Sequence, residues 1–444
     1  MDPDNAKFHS RSGSSSRPQR SQRRVVITGL GMINPLGSSL DDVWNALSQG
    51  RSGVHPIQLF DASVLPTTIA AEIPDFNGKA YMKTRDAKKA LRVMARAIQM
   101  ATAAAQLAID DGNIDTEALD STRFGVEFGA GLMATDLDEL SSAASVSANC
   151  LPGVVDLGKW GTEGLSQIPP LWMLKYLPNM LACHVSILHD AQGPNNTITE
   201  SEVASLLALG EAYRILVRDQ ADIFLVGGAD SKLNPLSMVR QCLFGELSTR
   251  NDEPAKASRP FDRSRDGLVV GEGATVLALE DLEHAQKRGA KIYAEVVGFG
   301  AGFDRKRNGE GIARVIHSAL QDANVKPDEI DHVNAHGMGT VAMDVWEAKG
   351  LRRAFGDTTP NIPVFAGKSY YGNMGAASGV TEMAASLLAL DHGLLPRTLN
   401  YEEHDPECPI SVNATERSIH KSHLLKIGFT DLGQCAAVVC RRWS

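Results

Sequence analysis

The stretch Gly193-Pro-Asn-Asn-Thr-Ile-Thr-Glu-Ser-Glu-Val-Ala-Ser-Leu-Leu-Ala-Leu-Gly210 predicts a strand, a tight turn and the beginning of a helix. This arrangement is typical of a nucleophile elbow, with Glu202 at the turn. The first-turn amides of a helix are unpaired and carry partial positive charge. A thiol placed there ionises readily and becomes a usable nucleophile. A carboxylate is also stabilised by this positive charge, but it is far less nucleophilic.

A second interpretation of the same residues needs no chemistry. Thr199 and Glu202 have the T-x-x-E spacing of a capping box, in which the two side chains satisfy the unpaired amides of a helix N-terminus. The local spacing alone leaves capping and catalysis both open.

Other short blocks surround this segment and run in one order from about residue 24 to the end of the chain. They are Val25-Val-Ile-Thr-Gly-Leu-Gly31, Asn34-Pro-Leu-Gly37, Gly193-Pro-Asn195, Gly210-Glu-Ala-Tyr-Arg214, Gly227-Gly-Ala-Asp230, Arg259-Pro-Phe-Asp262, Arg265-Asp-Gly267, Gly271-Glu-Gly-Ala274, Val333-Asn-Ala-His-Gly337 and Gly367-Lys-Ser369. No single block is specific, but the ordered set resembles the β-ketoacyl-acyl-carrier-protein synthases, the ketosynthases of fatty-acid and polyketide pathways.

The resemblance implies a thiolase-like α/β fold of five layers, αβαβα, made of two similar halves with the active centre between them. The first half is expected at residues 24–283 and carries Glu202. The second, residues 284–444, carries His336 and Lys368. Residues 1–23 are rich in Ser, Arg and Gln and are predicted to form a flexible tail, because they cannot bury enough apolar surface to fold.

The family's reaction centre can be placed one position at a time. The acylated cysteine of the family falls on Glu202, so the resemblance implies that no thioester forms there. The first histidine is His336 and the lysine is Lys368. The second histidine position holds Asn373, in Lys368-Ser-Tyr-Tyr-Gly-Asn373.

The supporting positions have changed in part. The pantetheine loop reads Gly337-Met-Gly-Thr340 and keeps one hydroxyl, that of Thr340. Only Gly428 and Phe429 remain of the loop that helps to form the oxyanion hole. Asp344 and Glu347 match the family's support positions, and Glu347 is expected to pair with Lys368.

These changes suggest two functions. The first is a non-condensing partner subunit that resembles the chain-length factors of polyketide systems, paired with an active ketosynthase. The second is a malonyl-carrier-protein decarboxylase or another acyl-carrier enzyme that uses Glu202 and His336. Ionised Glu202 would repel a malonyl carboxylate by a few kcal/mol at roughly 4 Å, so this role requires its protonation. Whether the chain is an enzyme stays open.

The resemblance also implies the partners. They are an acyl carrier protein, whose 4′-phosphopantetheine arm is the substrate-borne group, and either an active ketosynthase in a heterodimer or a second copy in a homodimer. No cofactor of the chain's own is predicted. The net charge of −9 argues against nucleic acid or an anionic membrane as a partner. The six cysteines show no CxxC spacing, so the sequence predicts no metal site and a reducing, cytoplasmic location.

Two further expectations come from local pattern. Cys183, ahead of the elbow, is interpreted as a buried small side chain, with a displaced nucleophile as the alternative.

β-Branched runs predict strands at 25–29, 123–127, 223–227, 275–280, 293–298, 332–335 and 436–441, and apolar spacing predicts helices at 41–49, 88–109, 312–324 and 379–390. Their alternation favours buried parallel strands with helices on both faces.

Overall fold

A computed structural model describes residues 23–133, 135–149 and 153–443 of the chain. The predicted tail lies outside these residues except for Arg23. That arginine forms ion pairs with three aspartates of the first half, Asp219, Asp222 and Asp281.

The strands of the described residues, in chain order, are β1 (Val25–Ile33), β2 (His55–Pro56), β3 (Ile69–Ala70), β4 (Phe124–Ala130), β5 (Asn195–Ile198), β6 (Ile223–Ser231), β7 (Glu272–Asp281), β8 (Ala294–Phe303), β9 (Ile330–Asn334), β10 (Pro363–Phe365), β11 (Leu394–Leu395), β12 (Ser411–Val412), β13 (Arg417–Ser418), β14 (His423–Phe429) and β15 (Gln434–Arg442). All seven predicted strands are confirmed. Their β-branched residues are buried on both faces, which explains the continuous apolar runs.

The α-helices of the described residues are α1 (Leu40–Gln49), α2 (Arg85–Ala90), α3 (Arg96–Asp111), α4 (Leu137–Val146), α5 (Leu157–Lys159), α6 (Trp172–Tyr176), α7 (Met180–His189), α8 (Ala204–Val217), α9 (Pro235–Phe244), α10 (Leu282–Lys287), α11 (Glu310–Ala323), α12 (Val341–Phe355), α13 (Lys368–Tyr371) and α14 (Ser378–His392). Short 3₁₀ segments include Leu91–Val93, Ser201–Val203 and Gly375–Ala377. The helices predicted at 41–49, 312–324 and 379–390 are confirmed.

The single helix predicted over 88–109 is wrong. The chain forms α2, one 3₁₀ turn, and then α3, with an extended residue at Met94 between them. Met94 is buried, and the Arg96 guanidinium binds the Glu272 carboxylate at 2.7 Å. Both contacts are made across the fold, so they interrupt a segment whose local preference is helical.

One mixed sheet of eleven strands runs through the molecule in the order β12-β10-β9-β14-β15-β8-β1-β7-β6-β4-β5. The expectation of parallel strands is correct only toward the two edges, where β4 pairs with β5 and β6 and where β9 pairs with β10 and β14. The central pairings are antiparallel. Alternation of strands and helices along the chain does not determine the direction in which distant strands meet.

The sheet contains the same arrangement twice. The first half orders its five strands β5-β4-β6-β7-β1, and the second orders its own β10-β9-β14-β15-β8. Numbered by chain order within each half, both arrangements read 3-2-4-5-1. The halves join where β1 pairs with β8 over Val25–Ile27. This repeat confirms two similar halves, while the boundary near residue 284 stays a prediction.

Helices complete the thiolase-like layers. α3 and α7 pack on the outside of the first half, and α11 and α12 pack on the outside of the second. α8 and α14 contact each other in the middle layer. Gly379 permits this approach, because a Cβ there would lie 2.6 Å from the side chain of Leu206. Among the described residues, no helix combines the length and apolar content needed to cross a bilayer.

Candidate functional site

The elbow predicted at Glu202 is present, and it lies between β5 and α8. Ser201, the residue before Glu202, has a φ of +45°, in the left-handed region that side-chain-bearing residues rarely adopt. A 3₁₀ turn at Ser201–Val203 then leads into α8. The strained turn sets Glu202 at the start of the middle-layer helix.

The Glu202 side chain contacts Asn373 and does not form a capping box. The Asn373 amide donates a hydrogen bond to Glu202 Oε1 at 3.1 Å. Asn373 is oriented in turn, because its Oδ1 accepts from the Gly375 N–H and the Ser378 hydroxyl. Within the part of the chain that the structure describes, no side chain caps the turn or α8, so the T-x-x-E interpretation is wrong. The structure brings together Glu202 and Asn373, the two positions where the resemblance places the family's cysteine and second histidine.

His336 lies just beyond β9 and is 1% exposed. Its ring packs against Phe429 with 4.6 Å between ring centroids. Nδ1 lies 3.3 Å from the Lys368 ammonium, and Nε2 has no hydrogen-bond partner among the described residues. Burial, together with the positive charges of Lys368 and Lys426, holds the pKa of His336 well below its usual value. The imidazole is therefore neutral, with Nδ1 accepting and the Nε2 hydrogen unpaired.

Lys368 pairs with Glu382 and not, as predicted, with Glu347. Its ammonium donates to Glu382 Oε1 at 2.6 Å and to the His336 carbonyl at 2.8 Å. The other Glu382 oxygen pairs with Lys426. Glu382 thus holds two fully buried cations, a network that the sequence analysis missed because its three members lie on α13, α14 and β14.

Glu347 has a different role, at the backbone. Its two carboxylate oxygens accept the N–H groups of His336 and Gly337 at 2.6 and 2.8 Å. Burial raises the pKa of Glu347. The side chain therefore fixes the turn that carries His336.

Asp344 supports the next part of this turn. It accepts the N–H groups of Phe261 and Gly339, and the Arg265 guanidinium lies 3.4 Å away. Burial raises the pKa of Asp344 to about 6. Thr340, the predicted pantetheine-loop residue, caps α12 by accepting the Met343 N–H.

The residues predicted as a remnant of the oxyanion loop lie within a strand. Gly428 and Phe429 are the last residues of β14, and Phe429 pairs with Cys435 of β15. Phe429 contacts the rings of His336 and Trp346. The antiparallel hairpin extends β14 through these two positions, which local sequence does not reveal.

Glu202 also lines a cavity of about 480 Å³. Met338 and Thr340, which the resemblance assigns to a pantetheine loop, form part of the same wall. Three cations that the sequence analysis missed line it too: Lys232, Arg240 and Arg307. Lys232 follows the Gly227–Asp230 block by two residues, so its position after a strand end was a usable signal.

Lys232 is electrostatically linked to the elbow. Its ammonium lies 3.8 Å from Asp230 Oδ2. Burial alone would lower the pKa of Lys232, but the charges of Asp230 and Glu202 raise it above its usual value. The cavity wall therefore carries a lysine whose charge is balanced first by Asp230 and second by Glu202.

Cys183 does not belong to this site. It lies on α7, in the outer layer with α3, and it does not line the cavity. Its side chain is partly exposed and receives a weak contact from Asn179 at 3.9 Å. The interpretation as a buried side chain is thus wrong, and the fold gives the alternative of a displaced nucleophile no support.

A two-half αβαβα fold with a strained elbow, a buried His–Lys pair and an adjoining cavity places the chain in the class of thiolase-like proteins. Within it, residues 22–285 match the model of the beta-ketoacyl synthase N-terminal domain, and residues 293–402 match that of the C-terminal domain. The chain belongs to the β-ketoacyl synthase family.

Relatives include the 3-oxoacyl-[acyl-carrier-protein] synthase 2 of Coxiella burnetii, 37% identical over 88% of this chain and 91% of that protein. The granaticin polyketide putative beta-ketoacyl synthase 1 of Streptomyces violaceoruber is 35% identical over 95% of this chain and 98% of its own length. Among solved structures, the ishigamide ketosynthase/chain length factor is similar with a TM-score of 0.82, 30% identity, and coverage of 96% of this chain and 100% of that one.

Proposed function

We propose that this chain is a non-condensing member of its family, a chain-length-factor-like subunit that partners an active ketosynthase in fatty-acid or polyketide synthesis. The observation that carries the proposal is the Glu202–Asn373 hydrogen bond. It occupies the two positions where the resemblance places a nucleophilic cysteine and a histidine.

The chemistry of these two side chains supports the proposal. Condensation through an acyl-enzyme requires a strong nucleophile, and a carboxylate is a weak one. Glu202 Oε1 already accepts a hydrogen bond from Asn373. Asn373 has no titratable nitrogen, so it cannot replace an imidazole in proton transfer.

Exposed apolar residues support a partner chain. Large exposed hydrophobic side chains are concentrated between residues 132 and 187, and they include Leu132, Leu157, Leu165, Met173 and Ile187. Among the described residues, β5 lies at the end of the sheet and pairs with β4 alone. Apolar surface and an unpaired strand edge both favour association.

The cavity beside Glu202 supports an acyl carrier protein as a further partner. We infer that it receives the 4′-phosphopantetheine arm, with Thr340 on the wall and the cations Lys232, Arg240 and Arg307 nearby. The C. burnetii relative is named for a carrier-protein substrate. The cytoplasmic location stays a prediction.

One observation favours a second candidate function, malonyl-carrier-protein decarboxylation. The unpaired Nε2–H of neutral His336 is a donor suited to a thioester oxygen. In this reaction the bond to the carboxylate breaks, carbon dioxide leaves, and the electron pair moves to the thioester as an enolate. A proton from water then gives the acetyl product.

To test the proposal, the purified chain is incubated with acyl- and malonyl-carrier proteins. The β-ketoacyl product on the carrier protein and any acyl adduct on the chain are then measured by intact mass spectrometry. We expect no β-ketoacyl product and no acyl adduct. Condensation on the order of 1 per second, as in an ordinary enzyme, would refute the proposal. An adduct on Cys183 would identify a displaced nucleophile.

Release of carbon dioxide distinguishes the two candidates. A scaffold subunit releases none above background, as the wild type or as Glu202→Gln, and His336→Ala changes nothing. A decarboxylase gains activity in Glu202→Gln, which removes the like-charge penalty, and loses it in His336→Ala. Glu200→Gln is the matched control, because it removes the same charge at a position that does not line the cavity.

A further inference from the structure

The open strand β5 carries an acidic group that the reaction centre does not use. In β4, Glu127 pairs in register with Asn196 of β5, and the Asn196 amide donates to Glu211 of α8 at 3.4 Å. Glu127 and Glu211 therefore lie at the same end of the sheet. Glu127 is on β4, the strand next to the edge strand β5, and Glu211 is on α8, beside Asn196 of β5.

Glu127 is buried without compensation. Its side chain is 0% exposed, and neither carboxylate oxygen has a hydrogen-bond partner among the described residues. Burial, reinforced by the charge of Glu211, raises the pKa of Glu127 to about 8. A buried carboxyl without a partner is unfavourable in an isolated chain.

Glu211 is exposed, and no ion pair forms between either glutamate and a cation of the described residues. Arg214, one turn away on α8, binds Asp322 instead, at 2.9 Å. At neutral pH the edge thus presents the negative charge of Glu211, with no cation paired to it among the described residues, beside the protonated carboxyl of Glu127.

We propose that Glu127 and Glu211 make the β5 edge selective for a partner chain that brings a basic side chain to it, and disfavour a second copy of this chain. The inference rests on the proposed function, since it specifies the chemistry of the partner subunit.

Geometry explains the selectivity. β5 has four residues, and paired strands lie about 4.8 Å apart, so twofold pairing of β5 with another β5 brings each Asn196 close to its counterpart. The two Glu211 carboxylates bound to those asparagines would then face each other across the junction. Like charges in this arrangement weaken a homodimer, while an arginine or lysine on a different chain would pair with Glu211 and stabilise the neighbouring Glu127.

A charge-exchange experiment tests this selectivity with the wild type and variants of this chain alone. Sedimentation velocity measures self-association of the wild type, Glu211→Gln and Glu211→Lys, and of an equimolar mixture of wild type and Glu211→Lys. Glu283→Gln is the control, because Glu283 is an exposed glutamate on α10 away from this edge. Thermal unfolding of each variant shows that its fold is intact.

We expect the mixture to associate at least about tenfold more tightly than the wild type alone, the change produced by about 1.4 kcal/mol. Glu211→Gln should be intermediate, Glu283→Gln should match the wild type, and 1 M salt should reduce the differences. A wild-type homodimer as tight as the mixture, or a mixture that stays monomeric, overturns the inference. Condensation assays on the same samples test the proposed function separately, because they do not depend on the edge charges.

Discussion

Removing the negative charge of Glu382 should destabilise the protein strongly. Glu382 is bound to Lys368 and Lys426, whose side chains are 1% and 0% exposed. Glu382→Gln keeps the shape of the side chain but leaves two buried ammonium groups without a hydrogen-bonded counter-charge. Their remaining partners are neutral, chiefly the carbonyls of His336 and Ala335.

Breaking a buried ion pair by removing one partner costs about 3–5 kcal/mol. Here one substitution affects two cations, so we expect the loss to reach at least the upper end of that range. This is a large share of the roughly 5–15 kcal/mol by which folded domains are stable. Urea unfolding at pH 7, followed by tryptophan fluorescence, measures it.

The pH dependence gives a second readout. Burial already lowers the pKa of Lys426 to about 8 in the folded protein, and loss of Glu382 lowers it further, whereas an unfolded lysine titrates at about 10.4. Between these values the unfolded chain binds more protons, so stability rises with pH. The variant should therefore recover part of its loss at pH 9.

A matched control is Glu403→Gln, which breaks the exposed pair with Arg263, whose side chains are 57% and 63% exposed. This change should cost about 0.5 kcal/mol or less. If Glu382→Gln costs no more than this control, the assignment of Glu382 as the counter-charge of both lysines is wrong.

Three further predictions concern single residues. Because burial raises the pKa of Glu127 to about 8, the folded state holds its proton longer, and wild-type stability falls as pH rises from 5 to 8. Glu127→Gln should gain about 3.5 kcal/mol on the wild type across this interval in urea unfolding, and parallel curves would contradict the assignment. Ser201→Val, at φ +45°, should lose about 1–2 kcal/mol in thermal unfolding, and an unchanged melting temperature would show that the turn is unstrained. Gly375→Ala, whose Cβ would lie 2.0 Å from Asp230 Oδ2, should lose about 2 kcal/mol or more, and full stability would show that the Asp230 carboxylate moves aside freely.

Much of the fold could be predicted from sequence because the information is local. A strand buried on both faces must be apolar throughout, and such runs marked all seven predicted strands. The residues that bound these helices are also local: Ser39 caps the start of α1, and Gly50 and Gly393 end α1 and α14. The ordered blocks added the two-half architecture, which periodicity does not encode.

The candidate site was predictable only in part. Glu202, His336, Lys368 and Asn373 could be placed by matching positions in short blocks. Their partners could not, because Glu382 and Lys426 are 14 and 58 positions from Lys368 along the chain and reach it only through the packing of α14 and β14. Separation along the chain does not explain the Glu347 error, because Glu347 is 21 positions from Lys368 and Glu382 only 14. The packing of α14 against the Lys368 turn selects Glu382, while Glu347 is occupied by the backbone of His336 and Gly337.

The sequence by itself determined the seven predicted strands and three of the four predicted helices, and it placed Glu202 at the elbow, since these depend on residue type and near neighbours. The tertiary structure alone decided that Glu202 binds Asn373, that Lys232 faces it, that Glu382 neutralises two lysines, and that Glu127 lies unpaired behind an open edge. Each of these contacts joins residues far apart in the chain. Hydrogen bonds and charge interactions act over a few ångströms, so only the folded arrangement of the two halves determines which of them form.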